Sequence, residues 1–189
     1  WTRVYGLADR ASGEKVRRST LFQAGSVSKP VAAFGAMRLV QLGKLDLDAP
    51  VNDALQAWRI PGNEFTEKTP VTLEHLLSHT AGLTVHGFGG YAVDKPVPTI
   101  QQVLDGEPPA NSAPVRVVAP PGTIWRYSGG GYTVAQLLMT EAGGEDFAAL
   151  MKKRVLKPIG MQDSSFQNPL PEKWAKRAAA GVLTDGSDV

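Results

Sequence analysis

Apolar and polar positions alternate loosely over residues 2–8. A turn-rich stretch, Asp9-Arg10-Ala11-Ser12-Gly13-Glu14, follows, and Lys15-Val16-Arg17-Arg18 can return as a second strand. This pattern predicts a β-hairpin over 2–19. After Ser26 the period changes. Val27, Val31, Phe34, Met37 or Leu39, Val40 and Leu42 recur at about 3.6-residue spacing, so a helix is predicted from near Ser26 to Gly43. Pro30 fits only in the first turn, where backbone N–H groups have no internal partner. Pro50 opens a short helix to about Gln56. Thr72 reads as the N-cap of a helix through Leu73-Glu74-His75-Leu76-Leu77-Ser78, closed by Gly82. Residues 84–121 are rich in Gly and Pro and read as a long loop interrupted by one helix at about 99–105. Such a connection is usually functional or mobile. Ile124-Trp125-Arg126-Tyr127 is short and extended, and Gly129-Gly130-Gly131 breaks it. Helices at about 132–142 and 145–156 follow, separated by Gly143-Gly144.

Composition narrows the classes. Of 189 residues, 42% are hydrophobic and 20% charged, which excludes disordered and fibrous chains. The formal charge of +2 gives no argument for nucleic acid, and the run Lys152, Lys153, Arg154, Lys157 reads as a solvated helix face. With no cysteine, disulfides, thiol catalysis and Cys-zinc sites are excluded, and the compartment stays open between periplasmic or secreted and cytoplasmic. No apolar run approaches the ~18 residues of a membrane span.

Three places can carry chemistry. In Ser26-Val27-Ser28-Lys29, positions i and i+3 share a helix face, so Lys29 lies within reach of the Ser26 hydroxyl. A serine becomes a nucleophile when a neighbour takes its proton, and the helix dipole stabilises negative charge there. The motif alone is weak. Ser12-Gly13-Glu14-Lys15 is a second match, set in a turn without a following helix, and Ser26 also fits the plain role of helix N-cap. Tyr127-Ser128-Gly129 places a phenol before a glycine-rich turn. Beside ammonium groups such a phenol can shuttle protons, or it can be a half-buried structural tyrosine. Ser78 and His79 are sequence neighbours about 100° apart on a helix and do not face each other. His79 reads instead as lying near the negative end of the helix dipole. His75 and His79 have i, i+4 spacing, but Glu74 is misplaced for a His-Glu-x-x-His site and no third ligand is evident, so no metal is expected.

Together these segments resemble class C β-lactamases and related serine hydrolases: family VIII esterases, D,D-carboxypeptidases, D-aminopeptidases and penicillin-binding-protein-like enzymes. The resemblance runs in order from about residue 20 to 166. It rests on Phe22-Gln23-Ala24-Gly25-Ser26-Val27-Ser28-Lys29, on Gly43-Lys44-Leu45-Asp46-Leu47-Asp48 within Leu39–Pro50, and on Leu76–Leu83, with Ala81 where serine is more usual. Pro121-Gly122, Tyr127-Ser128-Gly129-Gly130-Gly131-Tyr132 and Leu156-Lys157-Pro158-Ile159-Gly160-Met161 complete it.

The resemblance implies an α+β, β-lactamase/transpeptidase-like fold: an antiparallel sheet flanked by helices, plus a helical subdomain. It implies Ser26 as nucleophile forming an acyl-enzyme, and Lys29 and Tyr127 jointly as the proton-transfer groups. The Ser26 backbone N–H would be an oxyanion donor, and Gly129 would stand at the substrate and oxyanion position. No cofactor is implied. Gly129 replaces the usual asparagine of the second motif, which favours small carboxylic esters over β-lactams or D-amino-acid peptides as substrates. A non-catalytic sensor or scaffold is the rival class.

The third motif, Lys-Thr-Gly or His-x-Gly on a strand, is absent, and Lys68-Thr69-Pro70 is a poor substitute because Pro lacks the N–H. The expected organisation is therefore one incomplete catalytic domain over 1–189. It comprises a sheet hairpin (1–24), a mostly helical part (25–166) with the long loop 84–121, and an irregular tail (167–189). A second segment or chain would complete the sheet, and the expected partner is a small-molecule ester or amide, with no nucleic acid and no membrane span.

Overall fold

The computed structural model describes residues 1–92 and 95–182. The hairpin is shorter than the pattern predicts: β1 (Leu7–Asp9) pairs antiparallel with β2 (Glu14–Lys15) through a bulge. The Asp9 carboxylate closes the turn by accepting from the Ala11 N–H and the Ser12 hydroxyl. A 3-10 turn at Gly25–Val27 leads into α1 (Ser28–Gln41), which places Pro30 in the first turn. Gly43, at φ 67°, turns the chain out of α1 in the left-handed region. The short α2 is Val51–Ala54, and α3 is Leu73–Ser78.

Thr72 caps α3 as expected, and His75 completes a reciprocal box: its Nδ1 accepts from the Thr72 N–H while Thr72 Oγ1 accepts from the His75 N–H. The end of α3 differs from the sequence expectation. Its left-handed cap is His79, at φ 63°, rather than Gly82. Gly82 is needed for another reason: a side chain there would collide with the Ala119 carbonyl, where Val118 donates to the Gly82 carbonyl at 2.9 Å.

That contact belongs to a pairing hidden inside the expected loop. Residues 114–126 run back along 79–84. Leu83 bridges Val117, Thr84 donates to the Arg116 carbonyl, Gly122 donates to the Thr80 carbonyl, and Arg126 donates to the His79 carbonyl at 2.8 Å. The prolines of this stretch mask its extended character. The interrupting helix is α4 (Ile100–Asp105), with Thr99 and Gln102 forming its capping box.

The largest departure is α5 (Gly129–Gly143), which begins three residues earlier than predicted. Gly129-Gly130-Gly131 forms its first turn instead of breaking the chain. A Cβ on Gly130 would meet Val115 at 2.7 Å and the Thr84 carbonyl at 3.1 Å; one on Gly129 would meet the His86 carbonyl at 3.1 Å. The glycines let the helix start lie directly on residues 84–88 and 115. Ser128, only 2% exposed, caps it by accepting from the Gly131 N–H and donating to the Thr84 carbonyl at 2.6 Å.

The fold centres on α5, which packs against α1, α2, α3, α4 and α6 (Phe147–Met151) and buries Val134, Ala135, Leu137, Leu138 and Met139. Asp146 caps α6, whose continuation Lys152–Leu156 widens into a π turn. The burial of α1 also differs from the simple reading of its period. Its small residues, Ala32, Gly35 and Ala36, face the helical core with Leu39, while Val27, Phe34 and Met37 stay 75%, 68% and 43% exposed. A side chain on Gly35 would run into Met139 and Met151, so the core demands small residues on that face. The larger ones are left for the opposite side.

Within 167–182, α7 (Glu172–Ala175) is one helical turn. Beyond it the chain pairs with the hairpin region: Leu21 bridges Ala178 in parallel, Ala179 donates to Leu21, and Ala180 donates to the Ala8 carbonyl. Residues 183–189 of the expected tail lie outside the described residues. Among the described residues no helix is long and apolar enough to cross a membrane.

Candidate active site

Three side chains predicted from two separate motifs converge. The Ser26 Oγ accepts a hydrogen bond from Lys29 Nζ at 3.0 Å and another from the Tyr127 hydroxyl at 2.8 Å, across 101 positions of sequence. Local structure explains each placement. The 3-10 turn and first turn of α1 put Ser26 and Lys29 one above the other. Tyr127 sits between the extended run 124–126 and the Ser128 cap of α5, held by the main-chain pairing to residues 79–84. The rival Ser12 is not part of this: its hydroxyl is spent on Asp9 within the hairpin turn.

The electrostatics suit proton transfer. Lys29 Nζ lies 4.8 Å from the centroid of the Tyr127 ring. Its ammonium first, and the hydrogen bond to Ser26 second, hold the Tyr127 phenol below the ordinary tyrosine value, against the opposing effect of burial. Tyr132, on the second turn of α5, goes the other way: burial and the neighbouring Tyr127 raise it. At the 3-10 turn the Ser26 N–H is among the first backbone donors of the helical run, which have no intrahelical acceptor.

Gly129 lies beside the triad, but its N–H donates to the His86 carbonyl at 3.0 Å. It offers the site no side chain, and its N–H is engaged by the main chain of His86.

An open cleft of about 550 Å³ lies against Ser26 and Tyr127, lined also by His86, Trp125 and Arg126. An adjoining one of about 320 Å³ on the Lys29 side includes Phe88, Tyr132, Phe147 and Phe166. The walls are aromatic, a surface suited to the apolar part of a small substrate. A larger groove, about 740 Å³, runs past Phe22, Val27, Val31 and Trp174, and none of Ser26, Lys29 or Tyr127 lines it.

Sequence reasoning missed two neighbours. The His79 ring stacks at 4.3 Å on Tyr127 and at 5.2 Å on Tyr132, and the His86 ring lies 4.8 Å from Tyr127. Val85, just before His86, has φ 61°, an uncommon conformation for a β-branched residue. Its carbonyl is held by the Gly130 N–H at 3.0 Å. The signal available for His79 was the lack of a glycine directly after Ser78, which left the left-handed cap to a residue with a side chain. His75 serves the cap of α3 through its Nδ1, and His79 serves the Ser128 N–H through its own. Among the described residues no group of three His, Asp or Glu is placed to hold a metal ion.

A Ser-x-x-Lys pair at the turn into α1, a tyrosine before the N-terminus of α5 and a small antiparallel sheet accompany part of a β-lactamase/transpeptidase-like fold. A family model described as Beta-lactamase matches residues 1–188, and the chain belongs to that family. It is 35% identical to Esterase EstB of Burkholderia gladioli over 183 residues, covering 93% of this chain and 46% of that protein. A penicillin-binding protein from Bacillus halodurans superposes with a TM-score of 0.72 at 27% identity, covering 97% of this chain and 54% of its own. EstCE1, described as a hydrolase with promiscuous acyltransferase activity, gives a TM-score of 0.75 at 26% identity, covering 97% and 49%. The chain thus spans about half the length of these relatives.

Proposed function

We propose that this chain carries the nucleophile and proton-transfer groups of a serine hydrolase that cleaves small carboxylic esters through an acyl-enzyme. The carrying observation is the pair of hydrogen bonds that Lys29 and Tyr127 make to one oxygen, Ser26 Oγ. The reactive form is the one in which Tyr127 has released its proton to solvent and stands as a phenolate steadied by the Lys29 charge, the hydrogen bond to Ser26 then being reversed. As Ser26 Oγ attacks the ester carbon, its proton passes to that phenolate, which becomes the neutral phenol. The carbonyl oxygen gains the negative charge and takes a hydrogen bond from the Ser26 N–H, a type of donor typically worth about 10²–10³ in rate. When the carbonyl re-forms, the bond to the alkoxide breaks and Tyr127 returns the proton to it. Water then repeats the cycle on the acyl-serine.

Esters are preferred to β-lactams because position 129 has no amide to meet a substrate amide, and its surroundings leave little room for one. The EstB and EstCE1 names support esters; the penicillin-binding relative keeps amide substrates as the alternative. The reading extends to a second segment that completes the sheet. Val27 just before α1 and Phe34 and Met37 on it leave large apolar side chains exposed away from the helical core, a surface suited to a covering segment. That segment would also bring the second oxyanion donor.

The test is a fluorophosphonate probe on the full-length protein, with p-nitrophenyl esters of graded acyl length assayed beside nitrocefin. Label on Ser26 and faster ester turnover are expected. Absence of label with no turnover of either substrate would favour the non-catalytic class, and faster nitrocefin turnover would overturn the ester assignment.

A further inference from the structure

We infer that His79 is the positioning residue for Tyr127, fixing its phenol against Ser26 and Lys29 by gripping the chain on both sides of it. The inference rests on the hydrolase reading only for its effect on rate; the positioning itself is a matter of geometry. The His79 carbonyl accepts from the Arg126 N–H at 2.8 Å, and its ring Nδ1 accepts from the Ser128 N–H at 3.1 Å. Between those two bonds lies Tyr127, whose ring packs on the imidazole at 4.3 Å with a 34° tilt. Trp125 closes the edge of the same imidazole at 6.1 Å. One residue thus holds three consecutive ones, 126, 127 and 128, by two main-chain bonds and a ring face.

The left-handed backbone at residue 79 makes this possible. At φ 63° the chain turns out of α3 so that carbonyl and side chain both point at the 126–128 strip. The grip requires neutral imidazole, because Nδ1 must accept. Burial first, then the charges of Lys29 and His86, hold His79 below the ordinary histidine value. With Nδ1 accepting, the remaining ring proton is on Nε2. The other titratable groups facing the ring are Tyr127 and Tyr132. His79 touches neither Ser26 nor the cleft, so it acts through Tyr127. A misplacement of about 1 Å at a reacting group can cost about 10²-fold in rate.

The experiment uses the full-length protein with two substitutions. His79→Gly keeps the left-handed backbone but removes ring and acceptor. His79→Asn also tolerates that backbone and restores an acceptor oxygen. The first readout, phenolate absorbance near 295 nm against pH, is independent of activity. In His79→Gly the Tyr127 titration is expected to move back up towards the ordinary tyrosine range, and in His79→Asn to stay near native. The second readout is p-nitrophenyl butyrate turnover. We expect a loss in kcat on the order of 30- to 100-fold for His79→Gly, with KM changed less than about threefold and most of the loss recovered in His79→Asn. In a Tyr127→Phe background, His79→Gly should cost little more, because residues acting as one unit are non-additive. An unmoved Tyr127 titration in folded His79→Gly overturns the inference, as does a full additional loss in the Tyr127→Phe background. If the native protein turns over no ester, the hydrolase reading fails, while the titration still decides the role of His79. Should His79→Gly not fold, a Tyr127 titration displaced in His79→Asn overturns the inference and a native-like one supports it.

Discussion

Tyr127 and Tyr132 stand five residues apart, both under the Lys29 ammonium at 4.8 and 5.7 Å from their ring centroids, yet their phenols shift in opposite directions. The difference is what each hydroxyl meets. Tyr127 meets Lys29 and Ser26, whereas Tyr132 is half-buried and donates to the Leu77 carbonyl at 3.1 Å. In a titration by phenolate absorbance, Tyr127 should ionise first. Tyr127→Phe should delete that earliest step, and Lys29→Met should move it to higher pH, since removing the cation removes the chief stabiliser of the phenolate. An unchanged first step in Lys29→Met would contradict the coupling.

Removal of the Tyr127 hydroxyl should slow acyl-enzyme formation by about 10²-fold or more, the scale of general acid–base catalysis. Stability should hardly change, because the ring contacts with His79 and His86 remain. Burst-phase kinetics of Tyr127→Phe measure the first effect and thermal melting the second; a near-native burst rate would make the tyrosine structural.

Ser26→Ala should abolish covalent labelling and turnover, while Ser12→Ala leaves both intact. Ser12 serves the hairpin turn through Asp9, far from any lysine contact of the Ser26 kind. Peptide mapping of the labelled protein separates the two serines, and label retained in Ser26→Ala would refute the assignment.

At Gly130 two effects compete. Alanine would ordinarily stabilise a helix by about 0.5–1 kcal/mol over glycine. Here its Cβ meets Val115 and the Thr84 carbonyl, and overpacking typically costs about 1–3 kcal/mol. Overpacking wins, so Gly130→Ala should lower the melting temperature. Gly129→Asn should likewise fail to improve β-lactam turnover, because the His86 carbonyl and Phe88 leave no room; a faster nitrocefin rate in that variant would show that the 86–88 segment yields.

Phe34 tests the covering of α1. It is exposed in this chain, so Phe34→Ser should leave a protein of residues 1–189 no less stable and more soluble. If a further segment packs there, the same change should cost the full-length protein about 3 kcal/mol or more, the usual scale for losing a buried Phe. Equal melts of native and variant full-length protein would refute that packing.

The capped helices were legible because their signals are local. Thr72 and the Pro30 position fix two helix starts from a few residues each. Ser26 and Lys29 were legible for the same reason, being one turn apart. Tyr127 joined them only through ordered motifs, since nothing local reveals a contact across 101 positions. The glycine triplet misled because its lack of side chains reads as a break, whereas its purpose is tertiary: close approach to Val115 and Thr84. The same holds for α1, where periodicity located the helix but could not say that the small residues face the core. His79 was invisible as a tether because both its hydrogen bonds go to main chain almost fifty positions away.

The pairing of Leu21 with Ala178 and Ala179 has a kinetic consequence. Arg177 also reaches back to the Ser19 carbonyl, 158 positions away in sequence, and these contacts hold the strip that leads into Phe22 and the 3-10 turn of Ser26. The helices packed on α5 are nearer to it in sequence, α1 at about 100 positions being the farthest, whereas this contact closes the longest loop, whose entropy must be lost before its contacts repay it. The approach to Ser26 is therefore expected to be seated after the helical body has collapsed. On refolding, reactivity of Ser26 towards an active-site probe should return later than helical circular dichroism, so the serine reports the final stage of assembly.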